Sequence, residues 1–276
     1  MTVDLSPLDV QCVNATLMMV AAGTAIGGAE ILSMRQECTD HGLFSWKVAR
    51  TSYPLILRSH AAGVLDMLCG YPQFLYAVML QMLSALCILF RVFPSHVIYL
   101  LLPILFVHLL SMLRYSHASD GTDQMQTILL ASLACYFATP DPVVRKAAIW
   151  FISLQTILAY CTSGIAKVLS KPWRQGTVLR SSLLLAPGNK TLYRWMPSNA
   201  RVNQLLCVAV IAFECAFPLA LTSPRNCLVI LTFGLLLHLF NAVALGIPRF
   251  LFTFVAAYPL VFLSAMDLHS LLFPTH

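Results

Sequence analysis

Lys167 is a cationic residue that closes a long apolar run of the sequence, from Ala147 to Ala166. A charge at the end of a membrane-length segment is costly unless it is used or paired, so this lysine is a candidate functional residue. Ser163 and Tyr160 precede it at helical spacing and lie on the same helix face. Burial disfavours the charged form of an amine, and a neutral amine can act as a general base. The structural alternative is a lysine whose ammonium group reaches from the helix end to the lipid headgroups.

A second candidate site lies in an apolar segment near the C-terminus, where His238 and Asn241 are three positions apart. That spacing places both side chains on one face of a helix. Inside hydrocarbon each of them needs a hydrogen-bond partner or a water-lined cavity. The pair therefore indicates either a ligand site or hydrogen bonds between neighbouring helices.

Glu214 is an acid embedded in a further apolar stretch. Either its carboxyl group stays protonated because it is desolvated, or it pairs with a cation, for which Lys167 is a candidate. A purely structural ion pair between two helices would explain the same two residues.

The elements that must position these residues are membrane helices. Apolar residues make up 59% of the 276 residues and charged residues 10%, against roughly 25% charged in soluble domains. About 20 consecutive apolar residues span a bilayer as a helix, whereas the strands of a closed barrel are shorter and alternate. The sequence predicts an all-α fold, a polytopic integral membrane bundle of about eight transmembrane helices. The predicted spans cover residues 12–34, 73–92, 95–113, 125–140, 146–167, 204–222, 227–246 and 249–272.

This organisation predicts one transmembrane domain over residues 1–276. Two long connections, at about residues 35–72 and 168–203, fall on the same side of the membrane, and connections of such length usually carry function or cover a cavity. The lipid bilayer is the expected partner, and the expected location is a multi-pass position in a cell inner membrane or an endomembrane.

Other chemistries lack their patterns in this chain. The nine cysteines show no metal-ligand or disulfide spacing, so no metal is expected. The net charge of +6 is spread over loops without a basic run, so nucleic acid is not an expected partner.

Two segments of the chain resemble a known family. The stretch from Gly164 to Gly176, which includes Lys167 and Trp173, is similar to the lysine-containing segment of vitamin K-dependent gamma-glutamyl carboxylases. The same pattern marks the wider horizontally transferred transmembrane (HTTM) family. His238-Leu-Phe-Asn241 resembles the His-x-x-Asn segment of the carboxylases, and Glu214 occupies the place of an acidic residue upstream of that histidine.

The resemblance implies carboxylase- or oxygenase-like (lyase) chemistry with a reduced quinone, a vitamin K-like hydroquinone, as cofactor. It implies that Lys167 is the base, that His238 is catalytic, and that Asn241, Trp173 and Glu214 belong to the same site. Together with Tyr160, which shares the helix face of Lys167, the last three are expected to bind the cofactor. The carboxylases have a catalytic histidine where this sequence has acids, and Asp123 (or Asp120) is expected to replace it. The substrate implied is a peptide or a small molecule.

Two alternative functions do not require enzymatic chemistry. Some short members of the HTTM family are associated with the maturation of secreted peptides, so the chain could be a non-enzymatic membrane protein for maturation of, or immunity to, such a peptide. A small-solute transporter is disfavoured, because the polar residues gather towards one membrane face instead of marking a path across it.

Overall fold

The structure of the chain, a computed structural model, describes residues 5–54, 62–115, 120–185, 194 and 199–273, and every regular element in these ranges is a helix. Parts of both long connections, at 55–61, 186–193 and 195–198, lie outside the described residues. The α-helices are α1 (Pro7–Ser33), α2 (Trp46–Ala49), α3 (Ala62–Cys69), α4 (Gln73–Leu89), α5 (Val97–Arg114), α6 (Gly121–Ala138), α7 (Pro142–Leu169), α8 (Lys171–Arg174), α9 (Val178–Leu185), α10 (Ala200–Ala216), α11 (Pro224–Ala244) and α12 (Pro248–Leu272). Short 3-10 segments are Arg35–Cys38, Arg50–Ser52, Pro94–His96 and Phe217–Leu221.

Six helical segments of the described chain are long and apolar enough to cross a membrane. A seventh span results if α3 and α4, which meet at a bend of 68°, are counted together. The six segments are Pro7–Ser33, Pro94–Arg114, Pro142–Leu169, Ala200–Leu221, Pro224–Ala244 and Pro248–Leu272. The prediction of an all-α polytopic membrane protein is confirmed.

The number of spans differs from the predicted eight at two segments. Residues 73–92 count as a span only when α4 is joined to α3, and residues 125–140 do not count as one. This segment falls on α6, which is helical but is not among the six long apolar helices. The first turns of α6 carry Thr122, Asp123, Gln124 and Gln126, so its apolar part is shorter than the hydrocarbon core requires.

The spans present apolar side chains to their surroundings instead of burying them all. In Ala200–Leu221 the mean hydropathy is 2.1, yet only 22% of the most apolar window is buried inside the protein. Soluble proteins rarely leave apolar surface of this extent uncovered. These faces are covered by the acyl chains of a bilayer, which makes the chain a multi-pass membrane protein.

The chain divides into two compact units, Leu17–Arg145 and a unit that combines Met1–Thr16 with Lys146–His276. In the unit Leu17–Arg145, the buried guanidinium of Arg114 donates hydrogen bonds to the backbone carbonyls of Cys38 and Cys69. It also lies 4.6 Å from the ring centre of Phe74. One cation at the end of α5 therefore joins the connection after α1 to the end of α3.

The unit that combines the two chain ends, called the site unit below, is built around α7. At the start of this helix, Lys146 Nζ lies 2.7 Å from Asp9 Oδ1 and 2.8 Å from Asp267 Oδ2. In its middle, Ser264 Oγ of α12 donates to Ser153 Oγ at 2.8 Å. Lys167 lies near its other end, about 30 Å from Lys146 at the helical rise per residue, which matches the thickness of the hydrocarbon core.

Two turns of the site unit define where α11 and α12 begin. Ser223 caps α11, its side chain accepting from the backbone N–H of Asn226, and Pro224 occupies the first helical position, where its missing N–H costs nothing. Between α11 and α12, Gly246 has a φ of 69°, a left-handed conformation that glycine adopts without strain. This tight reversal brings the last two helices side by side.

Candidate functional site

A cavity of about 490 Å³ lies inside the site unit, between α7, α10, α11 and α12. Six of the seven residues that the sequence singled out line it, although they come from four separate parts of the chain. They are Tyr160, Lys167, Trp173, Glu214, His238 and Asn241. The remaining lining residues are mostly apolar, and include Val178 and Leu179 of α9 and Phe250 and Phe254 of α12.

Lys167 forms an ion pair with Glu214 across α7 and α10. Its Nζ lies 2.6 Å from Oε2 and 2.9 Å from Oε1 of the glutamate, and it also donates to Ser163 Oγ at 2.5 Å. The two side chains are only 17% and 8% exposed. The lysine is therefore neither directed to the headgroups nor alone in apolar surroundings.

This pairing changes the chemistry expected of the lysine. A carboxylate lies within hydrogen-bond distance of the lysine nitrogen, whereas the sequence alone placed this lysine in apolar surroundings; its role as a base stays a prediction. The proton acceptor of the pair is the Glu214 carboxylate, while the ammonium group can hold a negative oxygen.

Trp173 lies over the same ammonium group. The Nζ of Lys167 is 5.0 Å from the centre of the indole ring, within the range of a cation–π contact. Helix α8, which carries Trp173, begins two residues after α7 ends and has a proline at its second position, Pro172. The tight connection turns the tryptophan back to the end of α7.

A second polar group in the cavity wall is formed by three side chains of different helices. The hydroxyl oxygen of Tyr160 (α7) lies 2.6 Å from His238 Nε2 (α11) and 2.6 Å from the hydroxyl oxygen of Tyr258 (α12). All three side chains are buried. The other ring nitrogen of the histidine, Nδ1, is buried and has no hydrogen-bond partner among the described residues.

Aromatic rings hold this group in place. The rings of Tyr160 and Phe217 are stacked with centres 3.7 Å apart. The His238 ring is stacked on Phe254 at 5.1 Å, and Phe254 on Phe250 at 6.0 Å. The cavity wall thus offers flat apolar faces next to one unsatisfied imidazole nitrogen.

Two glycines permit the close helix approaches on which both polar groups depend. A methyl group at Gly164 would come within 2.9 Å of the Cys215 backbone nitrogen, next to Glu214. One at Gly234 would overlap the hydroxyl oxygen of Tyr258. Both positions lie within one turn of the residue they serve, Lys167 and His238 respectively, so no larger side chain fits there without displacing these groups.

Asn241 lines the cavity one turn after His238, as its spacing predicts. Within the described part of the chain its side-chain amide makes no hydrogen bond that would explain it as a contact between helices. Its backbone carbonyl, in contrast, accepts from Leu245 and Ile247 and ends the helix.

Asp123 belongs to the other unit, Leu17–Arg145. It forms a capping box at the start of α6: Asp120 accepts from the backbone N–H of Thr122 and Asp123, and the Asp123 carboxylate accepts from the backbone N–H of Asp120 at 3.2 Å. The geometry gives this acid a role in starting a helix, and its catalytic role stays a prediction.

Several residues of the site did not stand out in the sequence. Tyr258 is the most important, because its hydroxyl group extends the contact between Tyr160 and His238. One signal was available: a hydroxyl group in the last apolar run needs a partner in hydrocarbon. Phe254 and Gly234 carry no such signal, because apolar and small residues are abundant in every span.

Comparison of the chain with models of known protein families, with curated proteins and with solved structures found no match. The described residues contain no group of three or more histidine, cysteine or acidic side chains able to hold a metal ion. The site is therefore understood from its own geometry.

Proposed function

We propose that the chain is an integral membrane enzyme that binds a reduced quinone in this cavity and, with dioxygen as the oxidant, couples oxygenation of the quinol to a base-initiated oxidation or modification of a peptide or small substrate. One observation carries the proposal. Six polar or aromatic residues chosen for their chemistry, from Tyr160 to Asn241, converge on a single apolar cavity in a membrane protein. Ligand sites of proteins typically combine an apolar wall with a few such polar groups.

The residues present suit a flat, lipid-soluble ring that carries oxygens. Phe250 and Phe254 provide flat faces, and His238 and Asn241 provide polar side chains in the lining. Leu206 and Phe240 line the cavity and are also 43% and 38% exposed on the apolar surface, so a hydrophobic ligand can reach it from the bilayer. A quinol bound there would supply two reducing equivalents.

The protein's own acid–base group is the Lys167–Glu214 pair. The Glu214 carboxylate accepts a proton from a hydroxyl group in the cavity, and the Lys167 ammonium stabilises the negative oxygen left behind. Burial strengthens both effects, because water does not screen them. The resemblance to the carboxylases implies that Lys167 itself is the base, whereas in this proposal Glu214 takes the proton and Lys167 supplies the positive charge beside it.

Replacement of Lys167 by alanine tests the proposal. We expect Lys167→Ala to lower quinol turnover in bilayer nanodiscs by at least about a hundredfold, the usual scale of a lost acid–base or electrostatic group. Lys171→Ala is the matched control, since this exposed lysine is four residues further on and does not line the cavity. Equal turnover by the two variants would refute the mechanism.

The ion pair itself favours a second candidate function, a non-enzymatic membrane protein for maturation of, or immunity to, a secreted peptide. Lys167 and Glu214 satisfy each other at 2.6 Å and could be structural. Lys167→Arg separates the two, because arginine keeps the charge and the pairing while its bulkier, planar guanidinium alters the shape of the cavity where the ligand binds. Full biological activity of Lys167→Arg together with absent quinol turnover would favour the non-enzymatic function.

A further inference from the structure

The end of the site unit that carries α8 and the start of α10 is rich in positive charge. The sequence from Val168 to Phe213 contains six lysines and arginines and no acidic residue. In the described part of this segment, Lys171 and Arg174 lie on α8, Arg201 lies in the first turn of α10, and all three are exposed. This end of the unit therefore attracts negatively charged partners.

Helices α8 and α10 pack against each other and bring two of these cations to one surface. The side-chain amide of Gln204 donates to the backbone carbonyl of Arg174 at 3.0 Å. Arg201 precedes Gln204 by three positions and shares its face of α10. Gly176 has a φ of 74°, and a methyl group there would overlap the backbone of Gln204, so the turn after α8 lies directly on α10. The guanidinium groups of α8 and α10 thus belong to the same face.

These cations lie where two membrane spans end. The span Pro142–Leu169 ends two residues before Lys171, and the span Ala200–Leu221 begins one residue before Arg201. Leu205, one helical turn after Arg201, is 68% exposed, as expected of a side chain that faces lipid. Positive charge and lipid-facing apolar surface are therefore adjacent on one face of α10.

The opposite end of the site unit, where α7 and α11 begin, differs in charge. There Lys146 lies 2.7 Å from Asp9 and 2.8 Å from Asp267, so its charge is already compensated. Arg225, in the first turn of α11, is exposed at that end. The uncompensated cluster of cations is therefore a feature of the face formed by α8 and α10, and not of the unit as a whole.

Neither Arg174 nor Arg201 forms an ion pair within the described residues, and neither lines the cavity. A soluble anion would use only their charges, whereas the exposed Leu205 also offers a surface to an acyl chain. We propose that this face binds an anionic phospholipid, whose phosphate contacts Arg174 and Arg201 and whose acyl chain lies along Leu205. Basic clusters at the ends of membrane spans recognise anionic headgroups in this way. The site is separate from the cavity and requires no enzymatic activity.

Native mass spectrometry of delipidated protein in a neutral detergent tests this site. Separate titrations use phosphatidylglycerol and phosphatidylcholine with identical acyl chains, so that only the headgroup differs. We expect wild-type protein to bind phosphatidylglycerol at least about tenfold more tightly. Arg174→Gln and Arg201→Gln should each lower this preference about fivefold, the effect of one cation near an anionic headgroup. Arg174→Gln leaves in place the backbone carbonyl that accepts from Gln204.

Arg225→Gln is the matched control, because it removes an exposed arginine from the opposite end of the same unit. It should leave the preference for phosphatidylglycerol unchanged. Arg201→Lys should keep most of the preference, because the positive charge is retained.

Equal binding of the two phospholipids by wild-type protein would overturn the proposal, and this measurement needs no variant. An effect of Arg225→Gln as large as that of Arg201→Gln would also overturn it, since charge would then act without a defined site. Inorganic phosphate at millimolar concentration separates a soluble anion from a lipid. We expect it to leave phosphatidylglycerol bound, and complete displacement would contradict a role for the acyl chain.

Discussion

The Lys167–Glu214 pair shows how strongly the meaning of one residue depends on its neighbour. By itself, a lysine at the end of an apolar run is a candidate neutral base. Opposite a carboxylate at 2.6 Å it is one half of an ion pair, and the acid becomes a second candidate for the proton acceptor. The pair also makes the protein sensitive to substitution, because removal of either charge leaves the other one buried without a partner.

Glu214→Gln therefore destabilises the protein more than its small change in shape suggests. We expect a loss of about 3 kcal/mol or more in the free energy of unfolding, since the Lys167 ammonium loses its counter-charge. The double variant Lys167→Met, Glu214→Leu should lose less unfolding free energy than Glu214→Gln, because two apolar side chains leave no buried charge without a partner. Unfolding in detergent micelles, followed by circular dichroism, measures both.

Glu30→Gln is the matched control for this prediction. Glu30 lies in α1 and forms no ion pair among the described residues, so its replacement should change stability by less than about 0.5 kcal/mol. If Glu214→Gln lowers the free energy of unfolding by as little as Glu30→Gln does, the Lys167–Glu214 pair is not a buried ion pair.

At the scale of the helices, close packing at two glycines positions both polar groups of the cavity. Helix α7 approaches α10 at Gly164, and α11 approaches α12 at Gly234. Apolar runs determine where the helices form, but the distances between neighbouring helices depend on these two glycines. Packing between membrane helices commonly depends on small residues in this way.

Gly234→Ala tests the second approach. The added methyl group would overlap the hydroxyl oxygen of Tyr258, which is held by a rigid buried ring, so we expect a loss of about 1–3 kcal/mol. We also expect weaker binding of menadione, a small quinone, because the Gly234→Ala methyl disturbs the contact between Tyr258 and Tyr160, and Tyr160 lines the cavity. Thermal unfolding and equilibrium binding in nanodiscs provide the two measurements.

Gly27→Ala is the control for the helix approach. Gly27 lies within α1 with nothing within 4 Å of an added methyl group, so alanine should stabilise the helix by about 0.5–1 kcal/mol. Similar effects of the two substitutions would contradict the close approach at Gly234.

For the molecule as a whole, the sequence predicts the fold class well because lipid imposes a simple rule. A chain that crosses hydrocarbon must satisfy its backbone within helices, and long apolar runs reveal them. The count of spans is less predictable: α6 has an apolar core, but its polar first turns shorten it. The segment 125–140 was predicted as a membrane span, whereas the structure has a helix there that begins earlier, at Gly121 after the capping box of Asp120 and Asp123.

The site was predictable to the extent that polar residues are rare in apolar runs. Lys167, Glu214, His238 and Asn241 stand out for this reason, and the cavity brings them together. The pairing of Lys167 with Glu214 could be named only as one alternative, because a sequence does not state which helices are neighbours. Tyr258 escaped attention because a tyrosine in an apolar run resembles ordinary core packing.

The most direct test of the central claim is mass spectrometry of the lipid-soluble molecules that remain bound when the protein is extracted from its native membrane in mild detergent. We predict a quinone in wild-type protein and in Lys171→Ala, and at least tenfold less of it in His238→Leu, which removes the hydrogen-bonding position in the cavity. Wild-type protein free of quinone, or equal amounts in all three proteins, would contradict the account.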